Sequence, residues 1–133
     1  LVGTAFGNTS PVKAFSNTVY LDVALAANSC LEIPVLAQEL AVYPVDVDVE
    51  IDGQLIAAHT LAVLTPGQVV SIRSTTAARL MILGGDALDG RRHIWWNFVS
   101  SRKERIEQAK EDWRRERFGL PVPGETEFIP LPE

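Results

Sequence analysis

Two hydrophobic periods divide this chain. Val19, Leu21, Val23 and Leu25 alternate with Tyr20, Asp22 and Ala24. Val45, Val47, Val49 and Ile51 alternate with Asp46, Asp48, Glu50 and Asp52. Leu61–Leu64, Val69–Ile72 and Ala78–Leu83 continue the theme. A period of two gives a strand one buried face and one wet face. Turn residues separate the runs at Asn28–Ser29, Asp52–Gly53, Thr65-Pro66-Gly67, Ser74–Thr76 and Gly84–Gly85. Asp-Gly suits a tight hairpin, and Pro-Gly a turn with positive φ at the glycine. Short strands at this spacing predict an antiparallel sandwich or barrel, jelly rolls included.

Beyond residue 100 the period becomes helical. Ile106, Ala109 and Trp113 recur at i, i+3 and i+7 among charged residues. Ser101 and Glu104 have the spacing of a capping box, worth about 1 kcal/mol. Arg114, Arg115 and Arg117 suit a helix C-terminus. Gly119 is expected at C′, and Pro121 forbids continuation. The pattern predicts a helix over roughly 101–117. The tail, residues 118–133, reads as an extended strap with hooks at Phe128–Ile129 and Leu131. The whole chain is expected to be one domain: a β-barrel over about 1–90, an aromatic clasp over 91–100, then the helix and the tail.

Charge is unevenly placed. Residues 1–90 hold nine acidic and three basic side chains, whereas 91–133 hold eight and nine. The acidic first part argues against direct nucleic acid binding, which needs clustered Lys and Arg. No apolar run is long enough for a membrane span. The single cysteine, Cys30, excludes an internal disulfide and fits a cytoplasmic setting. It reads as a small buried hydrophobe.

Candidate chemistry is sparse. His59 and His93 are the only histidines, without His-x-His or His-x-x-x-His spacing, so no metal ligand or catalytic residue is assigned. "DVDVEIDG" (46–53) fails as a calcium loop: its glycine comes too late and no glutamate ends it. As a strand it would space Asp46, Asp48, Glu50 and Asp52 about 6.6 Å apart on one wet face. Together with Arg91 and Arg92, these acids form the candidate interaction surface. "GGDALDG" (84–90) lacks the lysine and helix start of a phosphate loop, so close backbone approach explains its glycines. In "RRHIWWNFVSS" (91–101), Trp95 and Trp96 on an extended segment would point opposite ways, one into the β core and one toward the helix. His93, Trp95, Trp96, Asn97 and Phe98 are therefore expected to form a structural clasp, with the His93 ring hydrogen-bonded to backbone.

The blocks "SPVKAFSNTVYLDVAL", "GGDALDG", "RRHIWWNFVSSRKERIEQAKEDWRRERF" and "FIPLP" together resemble the C-terminal domain of pirin-like proteins of a bacterial subgroup. The resemblance covers nearly the whole chain. It implies an all-β cupin, or jelly-roll, barrel with a C-terminal α-helix. Pirins have two such barrels in one chain. The N-terminal one binds a metal, usually iron, through three histidines and a glutamate. Some members are quercetin dioxygenases; others regulate transcription factors or metabolic enzymes. The C-terminal barrel usually lacks the metal. Here Gln38–Gly53 and Leu61–Ser74 match the cupin strands without their histidines, so no ligand residue carries over. A metal-free, non-catalytic domain is expected, packing on an N-terminal cupin domain and serving regulatory protein contacts, with a homodimer as one way to cover an exposed apolar patch near the Trp segment or the strap. Two alternatives stand beside it: part of a metal-dependent quercetin-type dioxygenase whose active site lies in the N-terminal domain, and a small-molecule binding barrel. Whether the chain is a natural single domain or part of a larger protein stays open.

Overall fold

The structure, a computed structural model, describes residues 2–119, 124, 127 and 129–132. The chain forms two compact units, Leu1–Ala87 and Leu88–Glu133. The first opens with a small hairpin, β1 (Thr4–Ala5) and β2 (Asn8–Thr9). Eight further strands follow: β3 (Thr18–Leu25), β4 (Ser29–Ile33), β5 (Glu39–Pro44), β6 (Val49–Ile51), β7 (Gln54–Ile56), β8 (Ala62–Val63), β9 (Val70–Ser74) and β10 (Ala78–Gly85). They make two four-stranded antiparallel sheets, β3-β10-β5-β8 and β4-β9-β6-β7. The chain passes back and forth between the sheets, as in a jelly roll.

The period-two pattern explains the core. Val19 and Leu25 of β3, Leu40 and Val42 of β5, Ile72 of β9, and Leu80 and Ile82 of β10 are buried in one cluster fed by both sheets. Each such side chain contributes about 1.5–3 kcal/mol through lost water contact. Ile72, Leu80, Ile82 and Val42 are 0% exposed, so the space between the sheets is filled by their side chains. Packing at β10 also depends on a missing side chain. A Cβ on Gly84 would stand 2.1 Å from the Glu39 carbonyl oxygen. Gly84 and Gly85 of "GGDALDG" therefore serve close backbone approach, whereas Gly90 has open space around its Cβ position.

The turns follow their sequence signals. Asp52 and Gly53 both have positive φ, 46° and 83°, in the two-residue loop joining Ile51 to its partner Gln54. That is the backbone demand of a type I′ hairpin. Gly67 has φ 72° in the Pro-Gly turn.

The long alternating run from Val45 to Asp52 is not one strand. β5 ends at Pro44, bends occupy Val45–Val47, and β6 resumes at Val49. The Val45 N–H still reaches the Arg79 carbonyl at 2.9 Å, but the Arg79 N–H turns to Asp46 Oδ1, so the main-chain ladder stops there. The four acids consequently do not share one evenly spaced strand face.

The second unit holds a hairpin, β11 (His93–Trp95) with β12 (Phe98–Ser100), and the helix α1 (Lys103–Arg114). The helix is shorter than the 101–117 its periodicity predicts. Arg102 is its N-cap residue and no side chain caps it, so the expected capping box of Ser101 and Glu104 does not form. With the start at Lys103, Ser101 lies one residue too early to cap. Ser100 Oγ instead accepts a hydrogen bond from the Arg102 N–H at 3.2 Å. The end is likewise earlier than Gly119. Glu116 is the left-handed residue, φ 54°; its N–H reaches the Trp113 carbonyl at 3.0 Å, and the Arg117 N–H reaches Asp112 at 2.8 Å. These two bonds are a Schellman motif built without glycine. Among the described residues no helix is long and apolar enough to cross a membrane.

Candidate interaction surfaces and the fit of a metal

The hairpin β11–β12 turns on Trp96 and Asn97, with Trp96 at φ 49°. This bend overturns the expectation that the two tryptophans point opposite ways from an extended segment. Trp95 and Trp96 lie with ring centroids 6.4 Å apart, and both meet Phe98, at 6.2 and 5.7 Å. Trp113 of α1 packs edge-on to Trp96 at 5.0 Å, and Phe118 stacks on Phe98 at 5.3 Å. Lys110 Nζ sits 4.3 Å from the Trp95 ring centroid, a cation–π contact. The cluster thus joins hairpin to helix within the second unit. Trp113 Nε1 donates to the Ile129 carbonyl at 2.8 Å, tying one point of the tail to the helix. Leu131, the other expected hook, is half-buried, and Phe128 lies outside the described residues.

His93 is half-buried on β11, opposite Ser100. Among the described residues its ring makes no hydrogen bond, contrary to the expected backbone contact. Asn97 is exposed at the hairpin tip. On the hairpin face opposite Trp95 and Phe98, Ile94 and Val99 form a cross-strand pair exposed by 73% and 62%.

The acidic segment is mostly scaffold. Asp46 Oδ1 accepts the Arg79 N–H at 2.9 Å, Asp48 Oδ1 the Ala58 N–H at 2.9 Å, and Asp52 Oδ1 the Ser71 N–H at 2.8 Å. Three of the four acids thereby hold main-chain groups of neighbouring segments. Glu50 alone keeps the expected role of a wet-face charge, across from Arg73 in the β6–β9 ladder. Arg92 is turned inward on its own loop, to Asp89 at 2.5 Å and the Gly90 carbonyl at 2.8 Å. That guanidinium holds the Asp89 carboxyl below its usual range. Arg91 is exposed. The acids stand on the first unit and the two arginines on the second.

Two features gave no sequence signal, because each depends on register between distant strands. The first is the Asp22–Arg79 ion pair on the outer side of the β3–β10 ladder. The second is a cross-strand row on the same outer side: Tyr20 opposes Leu83, Leu83 opposes Ala41, and Ala41 opposes Val63. Val63, at its end, is 76% exposed. Cys30 is exposed rather than buried, with Sγ 3.0 Å from Ser71 Oγ. Its position on the outer side of β4 explains the difference.

A metal finds no set of ligands that fits it here. Among the described residues no three His, Cys, Asp or Glu side chains form a group able to hold one. His59 is exposed on a loop at φ 64°, and His93 belongs to the other unit. The interior between the sheets presents Val, Leu and Ile side chains, which offer no donor atoms.

Comparison with known proteins places these features. Residues 20–119 match the pirin C-terminal cupin domain. The chain is 41% identical over 133 residues to a pirin-like protein of Caulobacter vibrioides, covering all of this chain and 46% of that one. It is 28% identical over 123 residues to a candidate quercetin 2,3-dioxygenase of Pseudomonas aeruginosa, covering 90% and 39%. The chain therefore spans about half the length, or less, of the curated relatives it matches. A crystal structure of quercetin 2,3-dioxygenase from Acinetobacter baumannii superposes with a TM-score of 0.86 at 25% identity, over all of this chain and 46% of that one.

Proposed function

The chain belongs to the pirin family, as its C-terminal cupin domain, and on that premise we propose that this domain is non-catalytic and metal-free, packs on a metal-binding N-terminal cupin domain and serves regulatory protein contacts. The observation that carries the reading is the aliphatic filling between the sheets, where a cupin would need imidazole and carboxylate donors. The exposed Tyr20 and Val63 at the ends of the outer row and the exposed Ile94–Val99 pair support the packing role, since exposed apolar side chains gain by leaving water. Metal analysis of the purified chain after incubation with Fe(II) tests the proposal. Only traces of metal are expected. One equivalent bound with micromolar or better affinity overturns it.

A second reading rests on the relatives named as quercetin 2,3-dioxygenases. In it the domain is the non-metal half of such an enzyme. Oxygen consumption with quercetin, by an iron-loaded protein carrying both barrels, separates the two. Turnover favours the enzyme; its absence leaves the regulatory reading.

A further inference from the structure

β3 is an edge strand of its sheet, and only part of its outer edge is covered. Val2 and Tyr20 exchange two main-chain hydrogen bonds of 3.0 Å in an antiparallel bridge. Tyr20 therefore turns its N–H and C=O away from β10, and strand alternation turns those of Asp22 and Ala24 the same way. The β10 side agrees: opposite Ala24, the Arg79 C=O and N–H go to Val45 and to Asp46 Oδ1. Among the described residues no main-chain group pairs with Asp22 or Ala24 on this outer edge. An open recess of about 550 Å³ borders Asp22, Ala24 and Leu25, so there is room for a strand. Unpaired edges of this kind invite a further strand, and folded proteins usually cover or guard them.

The bridge fixes what would cover this edge. In an antiparallel pair each step back along one strand is a step forward along the other. Chain continuing upstream from Val2 in the same register would set the residue before Leu1 opposite Asp22, and the third residue before Leu1 opposite Ala24. The relatives have such chain: this sequence matches a C-terminal domain and spans less than half of each curated relative's length. We infer that the polypeptide entering this domain from the preceding barrel continues the Val2 strand along β3, so that the connection between the barrels is an added edge strand of this sheet. Asp22 and Ala24 would each exchange two hydrogen bonds with it, as Tyr20 does with Val2. The inference rests on the two-barrel reading and adds to it the segment, the edge and the register. Held this way, the connection loses the conformational freedom of a linker and restricts how the two barrels can be oriented.

Hydrogen exchange by NMR tests this on the isolated chain and on the protein carrying both barrels. The Leu21 and Val23 amides, which face β10, should be protected in both. The Asp22 and Ala24 amides should exchange rapidly in the isolated chain and at least about tenfold more slowly in the two-barrel protein. Ala24→Pro removes only an N–H on the outer edge, where proline is tolerated. In the two-barrel protein it should return the Asp22 amide to fast exchange and speed thermolysin cleavage just before Leu1 by about tenfold or more, with a folded spectrum. Should that variant not fold, the wild-type comparison still decides. Fast exchange of both amides in the two-barrel protein overturns the inference. So does protection in the isolated chain, which would assign the edge to a second copy if it grew with concentration and to the domain itself if it did not. Asp22 protection that survives Ala24→Pro overturns it as well, because burial rather than pairing would then be the cause. Fast exchange at Asp22 and Ala24 would leave the metal analysis of the proposed function untouched, so the two can fail separately.

Discussion

The Arg79 guanidinium grips the Asp22 carboxylate with two nitrogens, Nε at 2.9 Å and Nη2 at 2.6 Å, from the neighbouring strand. That hydrogen bonding holds the Asp22 carboxyl below its ordinary pKa and raises the Arg79 value. A depressed carboxylate pKa stabilises the fold above the unfolded-state value and loses that contribution as pH falls through the folded value. The window therefore lies below about pH 4. Because the pair is exposed, the effect should be small. Asp22→Asn should lower the urea midpoint slightly at pH 7, and the gap to wild type should close by about pH 2. A gap that stays constant across this range would show that the pair is not its cause.

The acids of the 46–52 segment should separate by role. Asp46→Ala, Asp48→Ala and Asp52→Ala each remove a charged acceptor from a main-chain N–H. Each should cost about 1–3 kcal/mol in denaturant unfolding. Asp→Asn at the same sites keeps an acceptor oxygen and should recover part of the loss. Glu50→Ala, at an exposed wet-face position, should change stability by less than about 0.5 kcal/mol. Equal small effects at all four sites would restore the view of the segment as one solvated face.

Gly84→Ala forces a methyl group against the Glu39 carbonyl, which belongs to backbone and has little room to move. A loss of about 1–3 kcal/mol or more is expected. Gly90 has open space around its Cβ position, so Gly90→Ala serves as the control and should change little. Thermal unfolding of the two variants side by side decides it.

Ser74 ends β9 with its hydroxyl buried and without a partner among the described residues. An unpaired buried hydroxyl opposes folding. Ser74→Ala should therefore match wild type or exceed it by about 1 kcal/mol in denaturant unfolding. A clear destabilisation would mean that the hydroxyl has a bound water or another partner in solution.

Trp113→Phe retains most of the ring packing with Trp96 and Phe118 but deletes the Nε1–H that reaches Ile129. A cost of about 1 kcal/mol is expected. Hydrogen exchange should also rise in the residues around Ile129. Unchanged exchange there would show that this bond does not hold the tail.

The sequence by itself determined the all-β body, the helix after it, the Asp52–Gly53 hairpin and the lack of metal-ligand spacing around its two histidines. Those features rest on local chemistry: side-chain period, the φ demands of turn residues, and the presence or absence of donor atoms. Local signals failed where a longer-range partner decided the outcome. The alternation of Val45–Asp52 is as regular as that of Val19–Leu25, yet the ladder ends where Asp46 takes the Arg79 N–H, and three of the four acids turn to main-chain partners 10 to 33 residues away. Ser101 and Glu104 have capping spacing, but the helix begins at Lys103 after the β11–β12 hairpin. The Asp22–Arg79 pair, the Tyr20–Val63 row and the Val2–Tyr20 bridge exist only once strand register is set. Register places side chains far apart in sequence on adjacent strands, and it is the packing of two sheets on one core that fixes it.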